Sequence, residues 1–344
     1  MKDLRNLVRP NIQALERLST NRTDDVRQRV MLDRCENPFN SPENRYPGTS
    51  DEQRLKTAIA NDRRIKPEGV TLTMGDSGAL DLILRTFCTP QRDNVVIPDP
   101  TLPSYATVAA INDVECRRVR LTSQQDISAR DLLNAANQHT KAIILCSPNY
   151  PTGRLFNRQQ ILQLAERFEG LVVIDESYAD FSRSASMVSE LASHQNLVVI
   201  RNFSTSFACA GICLSYIMAS EGITHFLNAA NRHTAIPSHV ISEGIEMMTR
   251  RRFDVDKWVK WILDERTKVI SAISVLPFCK EVFPSDANFF LARVDNAQAL
   301  KAYLAESGIS VADCCKFSGY EDCLNITIGL TADNNALLGA LRKY

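Results

Sequence analysis

The chain has 344 residues and 44% hydrophobic content, enough for a large core and, by length, roughly two domains. Its 40 basic and 40 acidic residues balance, which leaves no general field for nucleic acid or for an anionic membrane surface.

The first 23 residues place Leu4, Leu7, Val8, Ile12, Leu15 and Leu18 near helical spacing, with Pro10 starting or interrupting the helix. This stretch reads either as an arm packing on another subunit or as a frayed terminal helix. Asn37-Pro38-Phe39 and Tyr46-Pro47-Gly48 mark an irregular stretch over 30–49. A helix is expected over 51–61 and a short strand over 70–73. The turn Gly75-Asp76-Ser77-Gly78 then opens a helix over 79–87. Free N–H groups at such a helix start suit an anion, although Asp76 and Ser77 also suit plain N-capping.

Strands and helices then alternate. Strands are expected over 94–98, 115–119, 142–146, 171–174, 197–200 and 215–218, with helices over 104–111, 129–137 and 158–168. Apolar strands in this pattern imply a mostly parallel sheet covered on both faces, with ligands outside the carboxyl ends of the strands. Asp175 and Ser204 fall there. Residues 238–276 look helical, the longest run being 254–276, and a strand, helix and strand follow over 288–294, 297–307 and 325–328.

Ten cysteines (35, 88, 116, 146, 209, 213, 279, 314, 315 and 323) show no paired spacing, so reduced thiols are expected. Among them are Cys35, Cys209 and Cys213. The last two would share a face if their segment is helical, and they read as a thiol or metal site or as small-residue replacements. The histidines (139, 194, 225, 233 and 239) form no ligand spacing, and no metal is expected. Met1-Lys2-Asp3-Leu4-Arg5 has no apolar signal core, and no run reaches the ~20 apolar residues a membrane span needs. A cytoplasmic location is expected.

Several ordered motifs carry a family resemblance. They are Glu36-Asn37-Pro38, Asn44-Arg45-Tyr46-Pro47, Ser147-Pro148-Asn149-Tyr150-Pro151-Thr152-Gly153, Asp175-Glu176-Ser177-Tyr178, Ser285-Asp286-Ala287-Asn288-Phe289 and Cys323-Leu324-Asn325-Ile326-Thr327-Ile328-Gly329. With the loop Arg201 to Gly211 they resemble the fold-type I pyridoxal-phosphate (PLP) aminotransferases, most closely histidinol-phosphate aminotransferases. The resemblance runs from about residue 28 to the end. It implies an α/β PLP-transferase fold: an N-terminal arm and part of the small domain over 1–45, a large domain over 46–245 and a small α+β domain over 246–344. It also implies a homodimer in which Tyr46 reaches the neighbouring subunit's cofactor phosphate.

The same resemblance assigns a cofactor or ligand pocket to Tyr46, Gly75, Asp76, Ser77, Leu102, Tyr150, Asp175, Tyr178, Ser204 and Cys213. Catalytic positions fall on Thr205, Asp175 and Tyr178, and substrate positions on Cys35, Asn37 and Asn325. Asp175 would pair with the pyridine nitrogen, or stand as a buried carboxylate held by neighbouring donors.

In this resemblance Thr205 stands where the family has its Schiff-base lysine. Cys213 stands for a phosphate-clamping arginine, and Tyr150 for an asparagine, or as filler for the ring's volume. Leu102 stands for a stacking tyrosine, Asn325 and Ala312 for substrate arginines, and Cys35 for an asparagine. A hydroxyl forms no imine and is a poor base near neutral pH. Each lost cation removes a charge-assisted partner worth roughly 1.5–3 kcal/mol.

PLP is therefore expected to be absent or non-covalently bound. Three functions follow. One is a repurposed biosynthetic enzyme acting on an amino-acid-derived small molecule less anionic than histidinol phosphate. The others are a non-catalytic pseudo-aminotransferase that binds a ligand or scaffolds a partner, and an atypical transaminase.

Overall fold

The computed structural model describes residues 4–15, 32, 35–41, 44–182, 184–231 and 236–344. Leu18 and His233, named above, lie outside the described residues.

After a short 3-10 turn at Leu4–Leu7, helix α1 (Pro10–Leu15) begins on its proline, whose fixed φ and missing N–H suit a first helical position. Then come α2 (Thr49–Arg63), β1 (Val70–Met74), α3 (Gly75–Phe87), β2 (Asn94–Asp99), α4 (Pro103–Ile111) and β3 (Glu115–Arg120). The chain continues through α5 (Ala129–Ala135), β4 (Thr140–Cys146), α6 (Arg158–Arg167), β5 (Leu171–Asp175), β6 (Leu197–Asn202), β7 (Leu214–Ala219) and α7 (Glu221–Ala230). The helical stretch expected over 238–276 divides at Arg250-Arg251 into α8 (Ser238–Thr249) and α9 (Arg252–Ile273). The chain closes with β8 (Cys279–Val282), β9 (Phe289–Val294), α10 (Ala297–Glu306), β10 (Ala312–Asp313), β11 (Cys323–Thr327) and α11 (Thr331–Leu341).

The first seven strands form one sheet in the order β1-β7-β6-β5-β4-β2-β3. Its β2–β3, β2–β4, β4–β5 and β5–β6 pairs are parallel, and β7 runs antiparallel to both neighbours. The sheet is thus mostly parallel, as the apolar strands imply. Side chains alternate between two cores: Val172, Ile174, Leu197 and Val199 enter one, and Leu171, Val173, Val198 and Ile200 the other. Because β7 reverses, its first residues lie at the carboxyl ends of β5 and β6. That edge collects Asp175, Asn202 and Ser215.

The remaining strands form an antiparallel sheet, β10-β11-β9-β8, whose inner face packs on α9, α10 and α11 through Val269, Ile273, Leu300, Leu304 and Leu337. Helix α9 serves both regions: Val255 lies in a core of the large sheet, and Val269 and Ile273 in the small one. The loops of the two sheets are tied together. Asp286 N–H donates to the Gly153 carbonyl at 2.7 Å, and its carboxylate accepts from Leu155 N–H at 3.1 Å.

Part of the N-terminal stripe packs on its own chain. Leu7, Val8 and Ile12 are buried with Leu80, Phe226 and Leu227, and Arg9 donates its N–H to the Thr86 carbonyl at 3.1 Å. Among the described residues no helix is long and apolar enough to cross a membrane. All ten cysteines are free thiols.

Candidate functional site

Strand β5 ends on Asp175, 2% exposed at the carboxyl edge of the large sheet. Its Oδ2 accepts the Tyr105 hydroxyl of α4 at 2.7 Å, and its Oδ1 accepts the Ser177 N–H at 3.0 Å and the Ser177 hydroxyl. Burial, and then the Asp76 carboxylate, push Asp175 up from the ordinary carboxylate range to about 6, against the pull of those hydrogen bonds. Burial and then Asp175 push Tyr105 well above the usual phenol range, so it keeps its proton and donates it.

Asp76 sits in the first turn of α3. The N-cap of that helix is Met74, so neither Asp76 nor Ser77 caps it. The helix also begins at Gly75 (φ 69°), four residues before the expected start. The Asp76 carboxylate turns to the strand ends instead. Oδ2 accepts Asn202 Nδ2 at 2.6 Å and faces the Ser177 hydroxyl at 3.2 Å, and Oδ1 accepts the Ser215 hydroxyl at 2.7 Å. Ser77 is exposed.

The loop after β6 carries Ser204, half-buried, and Thr205. The Thr205 hydroxyl donates to the Ser177 carbonyl and lies 3.0 Å from Asn202 Oδ1, which also accepts the Thr205 N–H at 3.1 Å. Asp76, Asp175, Ser177, Asn202, Thr205 and Ser215 therefore make one connected polar cluster, joined by Tyr105. Within a strand, successive residues face opposite ways. Asn202 faces this cluster, and Arg201 faces a second one. There the Arg201 guanidinium meets Glu176 at 2.9 Å and pairs with Asp180, which also lies 3.6 Å from Arg63 and accepts the Ser206 hydroxyl at 2.6 Å. Burial alone would raise Asp180, but Arg201 and Arg63 hold it well below the usual range.

Tyr178 is pushed up by burial and meets Phe289 edge-on at 5.0 Å between ring centroids. Tyr150 packs edge-on against Phe289 at 5.6 Å and Phe317 at 6.4 Å. Buried Asn325 donates Nδ2 to the Pro151 carbonyl at 3.2 Å and pairs in register with Ala312, so it links β11 to the loop after β4. Leu102, at the start of α4, packs on the core beneath that helix.

Other candidates stand apart. Cys35 is exposed at positive φ, and Tyr46 is 62% exposed. Asn37 Oδ1 accepts the Phe39 N–H at 3.0 Å, and Glu36 accepts the Tyr46 N–H at 2.8 Å and pairs with Arg45 at 2.6 Å, so this loop folds on itself. Cys209 and Cys213 do not share a helical face. Between them runs a single 3-10 turn, and Cys213 is left-handed, exposed, with Sγ 3.5 Å from the Ala210 carbonyl. Among the described residues no group of three or more His, Cys, Asp or Glu is placed to hold a metal ion. A cavity of about 820 Å³ opens at the opposite end of the strands, between the end of α2 and the start of α7, away from Asp175.

The cluster joins Asp76, Asp175 and Thr205, which the sequence singles out, to Tyr105, Asn202 and Ser215, which it does not. The polar pair Arg201-Asn202, closing an otherwise apolar strand, was the available signal.

The family model for aminotransferase class I and II matches residues 17–341. A histidinol-phosphate aminotransferase of Bacteroides fragilis is 41% identical over 100% of both chains. The crystal structure of histidinol-phosphate aminotransferase from Clostridium acetobutylicum superposes with a TM-score of 0.78 at 24% identity, covering 87% of this chain and 90% of that one. A Sinorhizobium meliloti histidinol-phosphate aminotransferase in complex with pyridoxal-5'-phosphate superposes with a TM-score of 0.77 at 17% identity, covering 87% and 82%.

Proposed function

The chain belongs to the aminotransferase class I and II family, and from that premise we propose that it is a repurposed member whose cleft acts on an amino-acid-derived small molecule without an imine-linked cofactor. On this reading Thr205 stands at the position of the cofactor lysine. The observation that carries it is the Thr205 hydroxyl, which cannot form an imine and is already donated to the Ser177 carbonyl. Asn325 supports it, since its amide is bound to the Pro151 carbonyl and offers no fork to a carboxylate. On this reading Thr205 offers no amine for a covalent link to PLP. PLP absent, or bound by non-covalent contacts alone, is the expectation.

One observation favours a second reading, a non-catalytic ligand-binding or scaffolding protein: Thr205, Asp76 and Asn325 all direct their polar atoms to the chain's own groups. The test is to mix the purified protein with PLP and glutamate. The proposal expects no imine absorbance at ~420 nm and no amino transfer. Appearance of both would mean an ordinary transaminase and end it. Product formation from candidate amino-acid derivatives then separates enzyme from binding protein. A homodimer in which Tyr46 crosses to the neighbouring cleft belongs to the same proposal.

A further inference from the structure

We infer that Asp76 acts as a built-in anion at the start of α3, so that the cleft excludes phosphate-bearing ligands and accepts their phosphate-free, amine-bearing counterparts. This rests on the family reading for where the cleft lies, but not on Thr205.

A helix start beside the carboxyl ends of parallel strands is where a fold of this kind presents donors to an anion. Here the donors are present and already engaged. Asn202 from the end of β6 and Ser215 from the start of β7 give hydrogen bonds of 2.6 and 2.7 Å to the two oxygens of one carboxylate, and the Ser177 hydroxyl stands 3.2 Å from it. That carboxylate belongs to the second residue of the helix, where the dipole favours negative charge. The chain thus supplies its own anion to an anion site.

A second acid deepens the field. Asp175 shares the Ser177 hydroxyl with Asp76, so two carboxyl groups lie within a few ångströms of one another. The guanidinium nearest in sequence is turned away, since Arg201 is paired with Glu176 and Asp180 on the other face of β6. Cys213 stands beside this turn, its carbonyl 3.9 Å from where a Gly75 Cβ would stand. A phosphate entering here would displace Asp76 from its donors and meet like charge at short range, whereas an ammonium would meet two acceptors.

Pyridoxamine and pyridoxamine 5'-phosphate test this directly, because both carry an ammonium, neither needs a lysine, and they differ only in the phosphate. Affinities would be measured by calorimetry on the intact protein, on Asp76→Ser and on Asp76→Asn, with far-ultraviolet circular dichroism to confirm folding. Removing the carboxylate should raise affinity for the 5'-phosphate by at least about 10-fold and leave the phosphate-free amine unchanged or weakened. Inorganic phosphate serves as a third probe and should follow the 5'-phosphate. The inference is overturned if the unaltered protein binds the 5'-phosphate as tightly as the folded variants do, or if neither folded variant gains phosphate affinity. Imine absorbance with PLP would instead overturn the reading of Thr205 and leave this comparison intact.

Discussion

Asp175 carries the clearest residue-scale consequence. The Ser177 hydroxyl has one proton to give and faces two carboxyl groups, Asp175 and Asp76. Burial and Asp76 raise Asp175 to about 6 in the folded chain, above its unfolded value. Folding therefore takes up a proton between about pH 4 and about pH 6, and the associated stability is present below that window and lost as the pH rises through it. Asp175→Asn, which cannot ionise, should be more stable than the unaltered chain at about pH 7.5 by on the order of 2–3 kcal/mol. The gap should close near pH 4. Urea denaturation at both pH values measures it, and an equal gap at both would show that Asp175 is not raised.

At the scale of elements, the loop after β4 holds the two sheets in register. Gly153 has φ 69°, and a Cβ there would stand 2.5 Å from Ser285 Oγ. Ser285 cannot easily yield, because its hydroxyl donates to the Phe289 carbonyl and accepts the Ala287 N–H. Gly153→Ala should cost at least about 2 kcal/mol, from backbone strain and overpacking together. Adding Ser285→Ala should recover only the Oγ share of the steric cost, because its Cβ, 3.0 Å from the added methyl, remains, and should leave the strain. If denaturation shows the two substitutions to be additive, the contact is not the cause.

Elements also show how much was legible beforehand. Strands β2, β4, β5 and β6 read directly, because a strand buried on both faces is a continuous apolar run bounded by turns. Strand β8 did not, since Lys280 and Glu281 interrupt a short, partly exposed strand at the sheet's edge. Helix α11 did not either. Its first turns carry the polar run Asp333-Asn334-Asn335, which blurs the apolar stripe, and Asn334 is buried there because its amide bonds Glu265. The site divides the same way. Asp175 and Thr205 lie next to strand ends that the apolar runs expose. Tyr105, Asn202 and Ser215 reach their partners across 70, 126 and 139 positions, and no local pattern encodes such a distance.

For the whole molecule, the exposed loop around Tyr46 bears on assembly. Phe39 is 78% exposed and Tyr46 62%, both on the segment that the family resemblance sends to a second subunit. Light scattering coupled to size exclusion should give a dimer mass, and Phe39→Ser with Tyr46→Ser should shift it towards the monomer. A monomer before substitution would remove the crossing of Tyr46 from the proposal.

Helix α9 has a further consequence. It runs 22 residues, about 33 Å, with Val255 in one core and Val269 and Ile273 in another. Both tryptophans of the chain, Trp258 and Trp261, lie on it between those anchors. Intrinsic tryptophan emission is therefore an optical gauge of the joint between the sheets, while circular dichroism averages over every helix. Coincident melting of the two signals means that the joint and the body unfold as one cooperative unit, and an earlier emission change means that the joint yields first.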